Sequence, residues 1–394
     1  MAGRAANRAT VRGDEVRCEA EAPLVEPAPD ASGARHDGLA RLASWVGSGG
    51  AVVAVARGAR RIELPLPPAR EGERAWLRVA VVGAPLDATV RFGGSAAART
   101  LHVEPRAHLE CLDWIALGER PAGATQVTIE TDESAPAWRL DALALRLDRA
   151  PPAEGHAAWR ARDGALEVRA APGARVADPE WTLKLLAEQV AAVEALLERR
   201  FDGPIALIAL PAGAAEFEAS GGFQNGRALF LRDDELHLPW RGYAHELFHV
   251  FEEERGLQLP WSWSEGLACA LALEVADATV AGIEGPARHR AALAALRRDG
   301  DEFHRPGAAS VNRLLPLAAP PADRRERDAA YAWATALVEE VARRGGRGAF
   351  ARFVAAWEAG SGAGGARAIA ALEAAAGGPL DDLRARCGVG LVPP

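Results

Sequence analysis

One run of residues, Gly242-Tyr243-Ala244-His245-Glu246-Leu247-Phe248-His249, followed sixteen positions after His249 by Glu265, restricts this chain more than any other feature. On an α-helix, residues four apart lie about 40° apart around the axis, so His245 and His249 present two imidazoles on one face with Glu246 one step round. Leu247, Phe248, Val250 and Phe251 make the same helix half buried. Burying two histidines and a glutamate without partners costs on the order of several kcal/mol. Whatever fold the chain adopts must therefore hold a second element against this helix and bring compensating groups to it. A catalytic zinc ion needs three protein ligands and an open fourth position. The spacing predicts His245, His249 and Glu265 as those ligands, with Glu246 beside the metal as a base. With 9 His in 394 residues, chance gives about one His-Glu-x-x-His in sixty chains of this composition, before any demand for Glu265. A surface helix carrying two solvated histidines is the weaker reading.

The length favours two domains over a single core. Apolar residues at 49% and charged residues at 25% describe an ordinary globular protein. The net charge of -8, with no basic block, argues against nucleic acid as a partner. Basic residues are almost all arginine, Lys184 being the one lysine, which reads as a GC-rich coding bias. Cys18, Cys111, Cys269 and Cys387 are far apart and form no C-x-x-C pair, so neither a zinc ribbon nor a compact disulfide scaffold is expected. Cys269 is expected to be a buried free thiol, while Cys18 and Cys111 fall in one domain and could pair. No segment reaches the roughly 18 to 20 apolar residues of a membrane span. The opening Met1 to Arg8 lacks the apolar core of a secretory signal. As written the chain reads as cytoplasmic, and as secreted or cell-surface if its true start lies upstream. No pattern fixes an oligomeric state.

Residues 1–13 are expected to be disordered. From 14 to 149 the chain alternates apolar and polar residues in short runs broken by Gly and Pro, as in Trp76 to Val82, Gln126 to Glu130 and Leu140 to Leu147, which predicts a β-sandwich. Ala and Pro crowd 150–158, a linker. Residues 159–394 change texture. A helix is expected from Trp181 to Arg200, capped by Asp178 with Pro179 in its first turn. Strands follow at Pro204 to Leu210 and Gly226 to Arg232. Helices then dominate, including Ala329 to Arg344, Gly348 to Glu358 and Gly365 to Ala376.

Residues from about 160 to 390 resemble the gluzincin metallopeptidases, and within them the bacterial peptidase MA-like domains. The resemblance rests on the strand before the helix, His245-Glu246-Leu247-Phe248-His249, the run Leu259-Pro260-Trp261-Ser262-Trp263-Ser264-Glu265-Gly266-Leu267-Ala268, and a later helix opening Tyr331-Ala332-Trp333-Ala334. It implies Zn²⁺ on His245, His249 and Glu265, and Glu246 as general base and then acid. It also implies Tyr331 as the donor to the oxyanion, with packing of an amphipathic helix against the core as the alternative for that residue; Tyr243 is expected to pack at the start of its helix, and His304 is a weaker candidate donor. An edge strand would align the substrate backbone, and Ala228, Leu229 and Phe230 are assigned to it. Gly221-Gly222-Phe223-Gln224-Asn225 faintly resembles the loop with which aminopeptidases hold a free amino terminus. Gln224 replaces the acid needed there, and a neutral amide pairs poorly with an ammonium, which favours an endopeptidase. Cys269 stands where a second carboxylate would support the ligands.

Before 150, Arg17-Cys18-Glu19-Ala20-Glu21-Ala22, Trp114-Ile115-Ala116-Leu117-Gly118 and a closing strand around Asp141 resemble a carbohydrate-binding jelly roll of the galactose-binding-like type. That resemblance implies a structural Ca²⁺ held by Glu19, Glu21 and Asp141, in keeping with the oxygen ligands a hard cation prefers; solvated edge-strand acids are the alternative. Trp45, Trp76, Trp114 and Trp138 would include a sugar-stacking platform or be core. The expected fold is thus multidomain: an N-terminal all-β jelly-roll sandwich followed by an α+β, mostly helical gluzincin metallopeptidase domain. The expected function is zinc-dependent hydrolysis of a peptide or protein substrate, glycosylated or not. The rivals are a silent binding or adhesion protein on a peptidase scaffold and a zinc hydrolase of a non-peptide amide.

Overall fold

A computed structural model describes residues 9–12, 15–19, 39–43, 51–66, 68, 72–94, 97–109, 111–146, 158–161, 164–218, 221–237, 242–279, 284–300, 319–361 and 364–380. The chain divides into two compact units, Met1–Arg175 with Pro204–Pro211, and Val176–Gly203 with Ala212–Pro394.

Every element of regular structure among the described residues of the first unit is a β-strand. Its strands are β1 (Ala9–Arg12), β2 (Glu15–Glu19), β3 (Leu39–Ala43), β4 (Ala51–Val55), β5 (Arg60–Pro65), β6 (Arg74–Val81), β7 (Leu86–Phe92), β8 (Ala98–Val103), β9 (Asp113–Glu119), β10 (Gln126–Thr131), β11 (Trp138–Arg146), β12 (Ala158–Ala161), β13 (Leu166–Ala170) and β14 (Ile205–Leu210). A seven-stranded sheet runs β1-β2-β11-β4-β3, with β6 between β11 and β9; a four-stranded sheet runs β5-β10-β7-β8. The smaller sheet shows the expected period of two: Leu86, Ala88, Val90 and Phe92 of β7 are buried while Asp87 and Arg91 are exposed. β6, paired on both edges, is buried from Ala75 to Val81. Inward residues of both sheets, among them Leu77, Val79, Leu140 and Leu143 from one and Ile62, Val90, Val127 and Ile129 from the other, share one core. Two sheets closing on one core is the sandwich arrangement the sequence predicts.

Two expectations for this unit need comment. Cys111 is a buried free thiol, pushed up to about 12 by burial, so no bridge joins it to Cys18. Glu19 of β2 pairs opposite Ala142 of β11, next to Asp141, whereas Glu21 lies outside the described residues.

Two strands that the sequence pattern does not single out, β12 and β13, precede α1. β12 pairs antiparallel with β13, and β13 parallel with β14; a parallel pair needs a long connection, which 171–204 supplies. β13 breaks its apolar pattern with Glu167 and Arg169, both buried. Arg169 donates to Asp113 Oδ1 at 2.9 Å, to the Leu112 carbonyl at 2.7 Å and to Glu167. Arg106 and Arg160 also reach Asp113, at 2.8 and 2.9 Å. These buried charges are thus mutually compensated.

The second unit holds α1 (Pro179–Leu197), β15 (Gly222–Asn225), β16 (Ala228–Arg232), α2 (Tyr243–Glu254), α3 (Trp261–Thr279), α4 (Glu284–Gly300), α5 (Arg324–Gly345), α6 (Ala349–Ala359) and α7 (Gly364–Ala376). Asp178 caps α1 as expected, accepting from the Trp181 amide at 2.9 Å, with Pro179 at the first helical position. β16 begins at Ala228 rather than Gly226, because Gly226 and Arg227 form the turn of the β15–β16 hairpin. α3 packs against both α2 and α5. That arrangement places the site.

Candidate metal centre

α2 starts at Tyr243, so His245, Glu246 and His249 lie in its first two turns, and Leu247, Phe248, Val250 and Phe251 bury its other side. α3 brings Glu265 to the imidazoles. The His245 and His249 Nε2 atoms are 3.2 Å apart, Glu265 Oε2 is 3.3 Å from the first and 3.9 Å from the second. Among the described residues this is the one group of three His, Cys, Asp or Glu side chains whose ligand atoms converge within 4.8 Å. Zn–N and Zn–O bonds of about 2.0–2.2 Å at tetrahedral angles require ligand atoms about 3.3 Å apart. The three side chains therefore fit a zinc ion.

Charge at the site is one-sided. Glu246 is 6% exposed, and burial pushes its carboxyl above the ordinary range, with the Glu265 charge adding to this and His245 and His249 opposing it. Burial would raise Glu265 too, but its hydrogen bond and charge interactions with His245, the His249 charge and a hydrogen bond from Trp261 hold it below the ordinary value. Burial would lower His249, yet Glu252, Glu246 and Glu265 raise it. The groups that act most strongly on Glu246 and Glu265 include no arginine or lysine among the described residues.

Gly222 of β15 lies against Glu246: a Cβ there would sit 3.4 Å from Glu246 Oε1 and 3.2 Å from the Phe230 carbonyl. The strand assigned to substrate alignment must move accordingly. Ala228, Leu229 and Phe230 of β16 are fully buried and paired with β15 along one side, so their backbone edge is taken. Among the described residues β15 is the terminal strand of its sheet, and it is the one beside Glu246. Its Gln224 amide donates to the Gly226 carbonyl at 2.7 Å and to Glu253.

Tyr331 comes from α5, its ring 6.3 Å from that of His245 with 28° between the planes. Burial, then the Cys269 and Glu265 charges, push its phenol well above the ordinary 10, so it keeps its proton. It shares a hydrogen bond with Cys269, a buried free thiol as expected. Cys269 Sγ is also 3.4 Å from His289 Nε2. α5 comes this close because residue 266 is glycine: a Cβ there would lie 2.7 Å from Ala334 Cβ and 2.8 Å from its carbonyl carbon. Tyr243, by contrast, is buried and donates to the Leu236 carbonyl at 2.8 Å, a packing role. His304 lies outside the described residues.

Two residues that sequence reasoning did not single out adjoin the site. Glu252 Oε2 is 3.2 Å from His249 Nδ1, and Ser264 Oγ donates to Glu252 Oε2 at 2.6 Å. The i,i+3 spacing of His249 and Glu252 on one helix was the available signal.

No protein-family model matches the chain, and no curated protein does. Among solved structures it is similar to the C-terminal CBM6 of LamC, a marine laminarinase from Zobellia galactanivorans, at 12% identity and a TM-score of 0.24 over 28% of this chain and 89% of that one. It is also similar to a carbohydrate-binding module from Cellvibrio mixtus lichenase 5A in complex with cellotriose, at 16% identity and a TM-score of 0.24 over 29% of this chain and 89% of that one. A third is a Clostridium stercorarium CBM6 in complex with cellobiose, at 13% identity and a TM-score of 0.24 over 28% of this chain and 84% of that one.

Proposed function

We propose that this chain is a zinc-dependent metallopeptidase, an endopeptidase of the gluzincin kind, whose second unit is the catalytic domain. The observation that carries the reading is the convergence of His245 Nε2, His249 Nε2 and Glu265 Oε2 at separations of 3.2, 3.3 and 3.9 Å beside a buried Glu246. Three carboxylates and two imidazoles, with no arginine among the strongest influences on Glu246 and Glu265 in the described residues, favour a cation as the balancing charge.

Bound there, zinc would supply Lewis-acid polarisation and lower the pKa of a water towards about 7. His245, His249 and Glu265 would hold the ion. Glu246, raised by burial, suits proton transfer near neutral pH: it would take the proton from the attacking water and return it to the departing amine. Tyr331, protonated, would donate to the oxygen that gains charge as the amide carbonyl is attacked. The outer side of β15 would pair with an extended peptide and align it across Glu246. Gln224, a neutral amide, offers no charge for a free amino terminus, which supports cleavage within a chain. The sandwich, read as a jelly roll, would position a protein or glycoprotein substrate, with Ca²⁺ on Glu19, Glu21 and Asp141 as the finer part of that assignment.

The test pairs metal content by mass spectrometry with cleavage of casein, for wild type and Glu265→Ala. About one zinc per wild-type chain, lost in the variant together with cleavage, is the expected result. Zinc without cleavage of casein or of a peptide and acyl-amide panel would favour the silent scaffold; cleavage of the small amides alone would favour the non-peptide hydrolase. Wild type without zinc would sink the reading.

A further inference from the structure

The carboxylate of Glu252 stands behind His249 rather than in front of it. Its Oε2 is 3.2 Å from Nδ1, the ring nitrogen on the far side from the Nε2 that meets His245 and Glu265. The same oxygen accepts the Ser264 hydroxyl at 2.6 Å, and Ser264 Oγ is itself 3.3 Å from Nδ1. Ser264 and Glu265 are consecutive residues of α3, so that helix reaches His249 at both nitrogens. An Nδ1–H donated to Glu252 leaves Nε2 with its lone pair, the tautomer a metal requires, and a carboxylate acceptor makes that lone pair more basic than a carbonyl acceptor does.

We propose that Glu252, fixed by Ser264, is a positioning residue for His249: it sets the ring's tautomer and angle and so tightens metal binding. The proposal rests on the zinc reading given above. It also answers the absence of a carboxylate four residues after Glu265, where Cys269 stands, since the support comes from α2 itself. Ser264 holds Glu252 in one rotamer and ties the last turn of α2 to the first turn of α3. Glu252 is 14% exposed at its side chain and Ser264 is buried, so water does not compete freely for these bonds.

The experiment measures the zinc dissociation constant of the full chain by competition with a chromogenic chelator, alongside thermal melting of the zinc-free protein. Glu252→Ala is expected to weaken zinc binding about 10- to 100-fold, with Glu252→Gln, which keeps an acceptor oxygen without the charge, recovering part of the loss. Ser264→Ala should weaken it about fivefold, as for one lost hydrogen bond. The zinc-free melting temperatures should move little in all three. A Glu252→Ala protein that binds zinc as tightly as wild type overturns the proposal, as does one that melts earlier with zinc affinity intact. If Glu252→Ala does not fold, unchanged affinity in both Glu252→Gln and Ser264→Ala overturns it. Wild type that takes up no zinc, like its His245→Ala control, means instead that the metal reading itself has failed.

Discussion

Both units bury acidic side chains, and they balance them in opposite ways. In the first, Asp113 faces Arg106, Arg160 and Arg169, and Glu73 meets Arg120 at 2.6 Å with both side chains almost fully buried. Those charges are closed: each acid has a guanidinium, which cannot lose its proton. In the second, the charged groups acting most strongly on Glu246 and Glu265 are imidazoles and each other, with Trp261 adding a neutral hydrogen bond to Glu265. An imidazole is a conditional cation and a metal ligand. The first arrangement stabilises a sandwich and the second keeps a place for an ion, although burial and acidity are similar.

The sharpest way to break this contrast is to remove the second unit's ligands. His245→Ala or Glu265→Gln should lower zinc from about one per chain to near zero and abolish cleavage, measured by mass spectrometry and casein turnover. Glu246→Gln should keep the zinc and lose cleavage by about 10²–10⁴-fold, since it removes the proton carrier alone; loss of zinc in that variant would make Glu246 a ligand instead. In the first unit, Glu73→Ala should leave zinc content untouched while costing about 3–5 kcal/mol of stability, because the buried Arg120 charge then loses its carboxylate and keeps neutral acceptors such as the Ala124 carbonyl; denaturant unfolding reads this. Gly266→Ala should cost about 1–3 kcal/mol by forcing α3 and α5 apart at Ala334 and should weaken zinc binding as well, which a purely structural glycine would not do.

The smallest effect concerns acid. Burial would raise Asp113, but three arginines hold it below its ordinary 3.8. Its contribution to stability is therefore complete above about pH 4 and is lost as pH falls through the lower folded value. Asp113→Asn should make stability less pH-dependent below pH 4 in urea titrations, and an unchanged acid limb would remove Asp113 from the account.

Much of this was legible in the residues because the signals are local. His245, Glu246 and His249 sit four residues apart at most, and helix geometry alone gathers them. Asp178 and Pro179 start α1 where cap chemistry says they should. Period-two burial marks β7 without help from elsewhere. What the sequence hid is non-local. β13 carries Glu167 and Arg169 in a buried strand, a pattern that reads as exposed until Asp113 is seen beside it. β15 is four residues long and includes a glycine, too short to show alternation, so the residue pattern points to its neighbour β16 instead. Glu252 and Ser264 belong to different helices, and only their packing makes them partners of one histidine.

The first turns of α3 carry Ser264, Glu265, Gly266 and Cys269, which serve respectively the back of His249, its front, the approach of α5, and Tyr331. Each depends on the direction in which that residue leaves the helix. One residue inserted between Trp261 and Ser264 would turn this face by about 100° relative to the start of the helix, and all four functions would be lost together. Substitutions here can be graded, but a change of length cannot, so this stretch should accept no insertion or deletion while the loops that join the helices remain free to vary in length.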